Sequence, residues 1–271
     1  MTSTTTDFEA IKTKQQGTWS SGNYSVIGTT LQITGELLCE AVAVDAGERV
    51  LDVAAGNGNA TLAAARRGCE VTASDYVPEL LEGAQARAVS EGLTIDVRVA
   101  DAENLPFSDA SFDVVLSTFG VMFTPNQERA AEELLRVCRP GGRIGLTNWT
   151  PESFVGQMFK VVGHYVAPPA GVRPPAQWGS EARLHELFGT GAQTITVERR
   201  HFNFRYRSAD DWLDAFRTYY GPTHKAFAAL DAADQAAFER DLLTLARNNN
   251  VSTTGTLRVP SEYLEVVVVK K

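Results

Sequence analysis

Cysteine is scarce in this chain, and no set of residues has the spacing of a metal site. The 271 residues include three cysteines, Cys39, Cys69 and Cys138, each in an apolar stretch. We expect them to be buried free thiols, which are typical of a reducing cytoplasm. Neither the cysteines nor the four histidines have the spacing of zinc ligands, so no metal is expected.

Long apolar runs and excess positive charge are missing as well. No apolar stretch approaches the roughly 20 residues that a membrane helix needs, so membrane insertion is not expected. The Thr- and Ser-rich residues 1–6 are followed by no apolar run, which predicts a disordered terminus rather than a signal peptide. With 25 Lys and Arg against 33 Asp and Glu, the net charge is −8. An acidic surface repels phosphate backbones, so no nucleic-acid partner is expected.

The central part of the chain alternates between predicted strands and predicted helices. Apolar runs predict strands at 48–53, 69–74, 94–100, 112–117 and 143–148, with helices at 59–67, from Pro78 and at 127–138. This alternation predicts an α/β fold with a parallel sheet and helices on both faces. Ligands of such sheets bind beyond the carboxyl ends of the strands, beside the first strand.

Less regular segments flank this central part. Helices are predicted at 7–23 and 29–43, a loop at 167–178, a strand at 194–206, broken helices at 209–250 and a last strand at 263–269. Residues 207–258 therefore look like an insertion between two strands. Insertions at this level of a sheet usually shape a substrate site.

The turn after the first predicted strand indicates a nucleotide-like ligand. Gly56 and Gly58, with Asn57 between them, allow a ligand to approach the backbone, and the next helix begins at the same crevice. A dinucleotide-binding fingerprint would need a third glycine where Thr61 stands. Residues 52–58 instead resemble the first motif of the Rossmann-like methyltransferases, Asp-x-Gly-x-Gly-x-Gly. Asp52 matches its acid, and Ala54 replaces its first glycine.

Acidic residues follow the next two predicted strands. A carboxylate at Asp75, which Tyr76 follows, can accept hydrogen bonds from both hydroxyls of a ribose, in dehydrogenases as in methyltransferases. Residues 100–107 resemble the methyltransferase segment in which an acid meets the exocyclic amine of adenine. Asp101 is the matching acid, and Ala102 and Glu103 follow it. The family's later motifs come in its order and spacing at 112–115, Thr118-Phe119 and 139–143.

These motifs resemble the quinone-biosynthesis-type, small-molecule branch of the class I S-adenosylmethionine-dependent methyltransferases, over about residues 45–150. The resemblance implies a doubly wound, mostly parallel seven-stranded sheet with an antiparallel last strand. It divides the chain into a helical N-terminal lid (1–44), a cofactor-binding Rossmann-like core (45–150) and a substrate region (151–271) that completes the sheet. S-adenosyl-L-methionine is the implied cofactor and S-adenosyl-L-homocysteine its product. The implied cofactor-binding residues are Tyr24, Asp52, Ala54, Gly56, Asn57, Gly58, Asp75, Tyr76, Asp101, Ala102, Glu103, Thr118 and Phe119.

The implied reaction is an in-line displacement that moves the sulfonium methyl group to a small-molecule acceptor. A hydroxyl or amine acceptor needs a general base, whereas a thiolate or stabilised carbanion does not. His164, in an apolar helix soon after the fifth strand, is the candidate base. Trp19 and Tyr24 of the lid are candidates to close over the cofactor. The candidates for an aromatic acceptor pocket are Tyr165, Trp178, Tyr219 and Tyr220.

Two other functions stay open on the sequence alone. An NAD(P)-dependent oxidoreductase would share the sheet, the glycine turn and the ribose acid. A non-catalytic S-adenosylmethionine-binding protein would share every motif named above. Nothing in the sequence identifies the acceptor or decides between a monomer and a homodimer.

Overall fold

The computed structural model describes residues 6–271, so the predicted disordered terminus lies outside the described residues except for Thr6. Within the described range, seven strands form one sheet in the order β3-β2-β1-β4-β5-β7-β6. The strands are β1 (Arg49–Val53), β2 (Glu70–Asp75), β3 (Asp96–Val99), β4 (Phe112–Thr118), β5 (Cys138–Trp149), β6 (Ala192–Tyr206) and β7 (Leu257–Lys270). Strands β1 to β5 pair in parallel, and β7 runs antiparallel between β5 and β6. The predicted α/β fold with an antiparallel last strand is therefore confirmed.

Helices cover both faces of this sheet and extend beyond its carboxyl end. They are α1 (Phe8–Trp19), α2 (Tyr24–Gly28), α3 (Gln32–Val42), α4 (Asn59–Arg66), α5 (Pro78–Ser90), α6 (Gln127–Val137), α7 (Phe154–Tyr165), α8 (Glu181–Phe188), α9 (Ala209–Tyr219), α10 (Gly221–Ala229) and α11 (Ala232–Asn248). The buried core on the α3–α5 face joins Leu38, Leu62 and Ala84 to Val50 and Leu116 of the sheet. Helices α9 to α11 form the predicted insertion between β6 and β7. Every described helix is too short or too polar to cross a membrane.

Polar side chains begin several of these helices, which explains where the elements start. Ser153 accepts a hydrogen bond from the Gly156 amide, so the helix that carries His164, α7, starts at Phe154. The same kind of cap begins α6 at Asn126, α8 at Ser180, α9 at Ser208 and α11 at Asp231. Helix α8 was not predicted.

Two strands are longer than predicted, and one of them extends the sheet past its neighbours. Strand β7 pairs with β5 only from Tyr263 onward, whereas its first half, 257–262, pairs with β6 alone. This two-stranded extension carries Phe202 and Phe204 towards the carboxyl end of β5. The three cysteines are free and buried, as predicted, and burial raises the pKa of each thiol.

Candidate functional site

A cavity of about 1150 Å³, including its mouth, lies beyond the carboxyl ends of β1 to β5. Its floor is the turn after β1 together with the strand ends. Helix α1, helix α2 and the insertion form its roof and far wall.

The floor is a turn whose backbone the sequence shapes at several points. Gly56 and Gly58 have φ angles of +56° and +84°, in the left-handed region that glycine favours. Ala54 also lies in this region, with φ +52°. Glycine, which the family has at this position, adopts this conformation without strain, whereas alanine is strained by it. Phe119, at the end of β4, has φ +57° and stacks its ring on Trp149 with centroids 4.0 Å apart.

Asp52 supports this turn from behind and does not face the cavity. The side chain is fully buried, and its Oδ2 accepts hydrogen bonds from the Thr61 amide (2.8 Å) and hydroxyl (2.7 Å). Burial raises the pKa of Asp52 to about 7, although the bonds from Thr61 oppose the shift. Thr61 stands where a dinucleotide-binding fingerprint would have its third glycine. Through its bonds to Asp52, it fixes the start of α4 to β1.

Asp75 lines the cavity at the end of β2 and is 4% exposed. Its Oδ2 accepts the Gly56 amide and its Oδ1 the Val77 amide, both at 2.9 Å. Burial raises the pKa of this carboxyl to about 6, partly offset by those backbone amides. Each carboxylate oxygen has a second acceptor site, so Asp75 can still accept hydrogen bonds from a ligand.

Asp101 is paired with a lysine of the lid, which the sequence did not indicate. Lys12 Nζ donates to Asp101 Oδ2 at 2.6 Å and lies 3.5 Å from Glu103 Oε2. Although burial disfavours the ammonium charge, the bonds to Asp101 and Glu9 raise the pKa of Lys12 well above its usual range. Asp101, which the resemblance predicts to contact the adenine amine, therefore already forms an ion pair with Lys12 of α1.

Helix α1 covers the cavity through polar contacts. None of its described residues is buried. Gln15 donates to the Phe123 carbonyl (3.1 Å) and Gln16 to the Tyr76 carbonyl (2.5 Å). Together with Lys12, these side chains lie one turn apart along the helix, on the face that meets the cavity.

The part of the cavity beyond Thr118 is lined mainly by aromatic and aliphatic side chains. Its walls include Trp19, Ile27, Leu31, Phe119, Phe123, Trp149, Val155, Met158, Phe204, Phe216 and Tyr220. No Asp, Glu, His, Lys or Arg belongs to this described group. The phenols stay protonated, because burial raises the pKa of Tyr24 to about 12 and that of Tyr220 still further.

Ten of the predicted cofactor-binding residues meet in the cavity wall. They are Tyr24, Ala54, Gly56, Asn57, Asp75, Tyr76, Asp101, Ala102, Thr118 and Phe119. The lid residue Trp19 also lines the cavity, with its ring centroid 5.7 Å from that of Tyr24.

Four predicted site residues lie outside the cavity wall. Asp52 is buried behind the turn. Gly58 precedes α4, with Ala84 close beside it. Glu103 is buried and accepts the Asn126 amide. His164 is exposed near the end of α7, with its ring against Tyr165, so its position does not support a role as the base.

The candidates for an aromatic acceptor pocket also lie partly inside and partly outside the cavity wall. Among Tyr165, Trp178, Tyr219 and Tyr220, the structure brings only Tyr220 into the described cavity wall. Lys12 and Gln15 of the lid, and Phe204 and Phe216 of the substrate region, were not singled out from the sequence. The polar spacing of Lys12, Gln15 and Gln16 on one helix face was the available signal for the lid.

Comparisons with known proteins agree with this geometry. Residues 51–146 match the family model described as a methyltransferase domain. An uncharacterised protein of Mycobacterium tuberculosis is 40% identical over 248 residues, which cover 90% of each chain. The demethylmenaquinone methyltransferase of Thermus thermophilus is 33% identical over 172 residues, covering 60% of this chain and 78% of that protein. The crystal structure of the YcgJ protein from Bacillus subtilis superposes with a TM-score of 0.61 at 22% identity, covering 87% of this chain and 97% of that chain.

Proposed function

Because the chain belongs to the class I S-adenosylmethionine-dependent methyltransferases, we propose that it methylates a small, flat and apolar acceptor. The observation that carries this proposal is the aromatic half of the cavity, which adjoins the glycine turn and the two acids. Apolar and aromatic walls bind apolar ligands by removing their surface from water. No feature of the described site favours the oxidoreductase hypothesis.

The residues of the cavity floor fit the cofactor. Buried Asp75 keeps free acceptor positions for ribose hydroxyls, and Asp101 is an acceptor for the adenine amine once Lys12 shares or releases it. The left-handed backbone at Gly56 lets a ligand approach where a side chain would interfere. When bound, S-adenosylmethionine supplies an electrophilic methyl group on a positively charged sulfur.

The aromatic residues align the acceptor and exclude water, and no protein base takes part. Since the described acceptor half holds no carboxylate or imidazole, the acceptor itself provides the nucleophile. This favours a thiol, an acidic phenol or a stabilised carbanion over an ordinary alcohol or ammonium group. The Trp19, Tyr24 and Tyr220 rings shield the reacting groups from solvent, which suits a reaction that loses charge.

Calorimetry and a transfer assay test this function. We expect S-adenosylhomocysteine to bind, and a labelled methyl group to move to aromatic thiols or phenols. The panel includes demethylmenaquinone in its reduced hydroquinone form, because the T. thermophilus relative is named for this molecule. Absence of binding at millimolar S-adenosylhomocysteine would refute the proposal. Binding without turnover on any acceptor of the panel would favour the non-catalytic alternative.

The division into lid (1–44), core (45–150) and substrate region (151–271) is part of this proposal. The closure of the cavity by α1 and by the α9–α10 junction supports it. We also propose a cytoplasmic location, supported by three buried free thiols, and a small molecule rather than a nucleic acid as substrate, supported by the net charge of −8. Cell fractionation tests the location, and light scattering distinguishes a monomer from a homodimer.

A further inference from the structure

Tyr220 brings a polar group into a wall that is otherwise mainly apolar. It lies at the junction of α9 and α10 and is 7% exposed. Its ring contacts Trp19 and Phe216, with centroids 5.6 and 5.2 Å away, and Tyr24 at 6.4 Å. The hydroxyl takes part in no hydrogen bond with the residues that the structure describes, and the side chain lines the cavity.

The backbone on either side of Tyr220 lies directly against the lid: Tyr219 contacts Asn23, and Gly221 contacts Thr18. We call these two contacts the clamp. The Asn23 amide donates to the Tyr219 carbonyl at 3.1 Å. A Cβ on Gly22 would lie 2.7 Å from that carbonyl oxygen, and a Cβ on Gly221 would lie 2.2 Å from the Thr18 carbonyl oxygen. Both glycines are therefore needed for this close approach. The clamp holds the Tyr220 ring in place, so its hydroxyl is pre-organised before a ligand arrives.

The Tyr220 hydroxyl is open to the cavity and offers a free donor to a ligand. A ligand that fills the cavity displaces water from this hydroxyl, so a matching acceptor atom on the ligand avoids the cost of leaving it unpaired. Tyr24, the neighbouring phenol, lies beside the glycine turn, since the Cβ of a residue at Gly56 would be 3.3 Å from its ring. Tyr24 therefore belongs to the cofactor half, and Tyr220 is the phenol of the acceptor half.

We infer that Tyr220 is the specificity-determining residue for the acceptor, donating a hydrogen bond to an oxygen carried on a flat aromatic ring. This inference rests on the proposed function and narrows it to aromatic molecules with a ring-bound oxygen. The aromatic rings around the site contribute contact with the faces and edges of such a molecule. Tyr220 acts as a positioning residue, because the acceptor supplies its own nucleophile.

Two probe ligands of nearly equal shape test the inference without knowledge of the natural acceptor. The protein is loaded with S-adenosylhomocysteine, and 2-naphthol or 2-methylnaphthalene is titrated while the heat of binding is measured by calorimetry. Tyr220→Phe keeps the ring and removes only the hydroxyl. Tyr219→Phe is the matched control, since Tyr219 is 37% exposed and its side chain is outside the cavity wall.

In Tyr220→Phe, we expect the ratio of the two dissociation constants to shift against 2-naphthol by about 2- to 10-fold, as loss of one hydrogen bond predicts. Binding of 2-methylnaphthalene and of S-adenosylhomocysteine should stay unchanged, and Tyr219→Phe should match the wild type. An unchanged ratio, or the same shift in the control, would overturn the role of Tyr220. Wild-type protein that binds S-adenosylhomocysteine but neither naphthalene would overturn the acceptor class alone, whereas failure to bind S-adenosylhomocysteine would refute the proposed function itself.

Discussion

Replacing Asp75 by asparagine should weaken binding of S-adenosylhomocysteine by about tenfold at pH 7. Both oxygens of the Asp75 carboxylate already accept backbone amides, from Gly56 and Val77, and their remaining acceptor positions are available to ribose hydroxyls. Asparagine keeps the shape and one acceptor oxygen but replaces the other by a donor. One hydrogen bond to a charged group contributes about 1.5–3 kcal/mol, and the lower end of this range is tenfold in Kd.

The free energy of unfolding of the ligand-free protein should change by no more than about 2 kcal/mol, because two effects oppose each other. Burial raises the pKa of Asp75 from 3.8 to about 6, so burying its charge costs about 3 kcal/mol at neutral pH. Since the folded state binds this proton more tightly than the unfolded chain does, the carboxyl's contribution to the free energy of unfolding falls as pH rises from about 4 to 6. Asparagine removes that cost but leaves one backbone amide without its acceptor, a loss of about 1–3 kcal/mol.

The same pKa predicts how wild-type affinity depends on pH. A ligand that needs the ionised carboxylate should bind about tenfold more weakly at pH 5 than at pH 8, and Asp75→Asn should lose this dependence. Calorimetry from pH 5 to 8 measures both effects, with Asp96→Asn on the neighbouring strand as the control, since its side chain is 52% exposed. Equal affinity of wild type and variant at pH 7, or equal wild-type affinity at pH 5 and pH 8, would refute the role of Asp75.

Three further predictions concern the contact between Gly221 and Thr18, the turn at Ala54, and His164. Gly221→Ala should lower the free energy of unfolding by about 1–3 kcal/mol, because its Cβ would meet the Thr18 carbonyl, whereas Gly163→Ala, with nothing within 4 Å, should raise it by about 0.5–1 kcal/mol. Equal effects in denaturant titrations would contradict the clamp. Ala54→Gly should raise the free energy of unfolding by up to about 1 kcal/mol, since φ is +52° there, and a clear loss of stability would show that the alanine is not strained. His164→Ala should leave kcat and KM unchanged in the methyl-transfer assay, and a tenfold fall in kcat would return His164 to the mechanism.

The sheet core could be predicted from sequence because its signals are local. Apolar runs that end at glycine or acidic residues placed β1, β2 and β4 to within one residue at each end. Strand β5 is longer than the predicted 143–148, because Cys138 already pairs with Phe112 and the pairing resumes at Arg143 after an irregularity that includes Gly141 at φ +70°. The first half of β7 was missed, since it pairs only with β6 and its mixed sequence carries no run of its own.

The candidate site could be predicted where it consists of motifs beside strand ends. The end of the second predicted strand indicated Asp75, and the resemblance of residues 100–107 to the methyltransferase segment indicated Asp101. Lys12 and Phe216 come from distant parts of the chain, and nothing local in the sequence shows that they meet. The exposure of His164 could not be predicted, because an apolar helix pattern does not reveal which residues near its end remain exposed.

The backbone hydrogen bond from Asn23 to Tyr219 also has a consequence for the order of folding. It joins segments from opposite ends of the sequence, and closing so long a loop costs conformational entropy before any contact compensates for it. The pairing of β1 with β2 closes a much shorter loop. The cavity floor should thus form before its roof, and amide exchange should reach α1 and the 219–221 junction well before the central strands. A newly made chain would then form the floor of the cofactor site before it can enclose an acceptor.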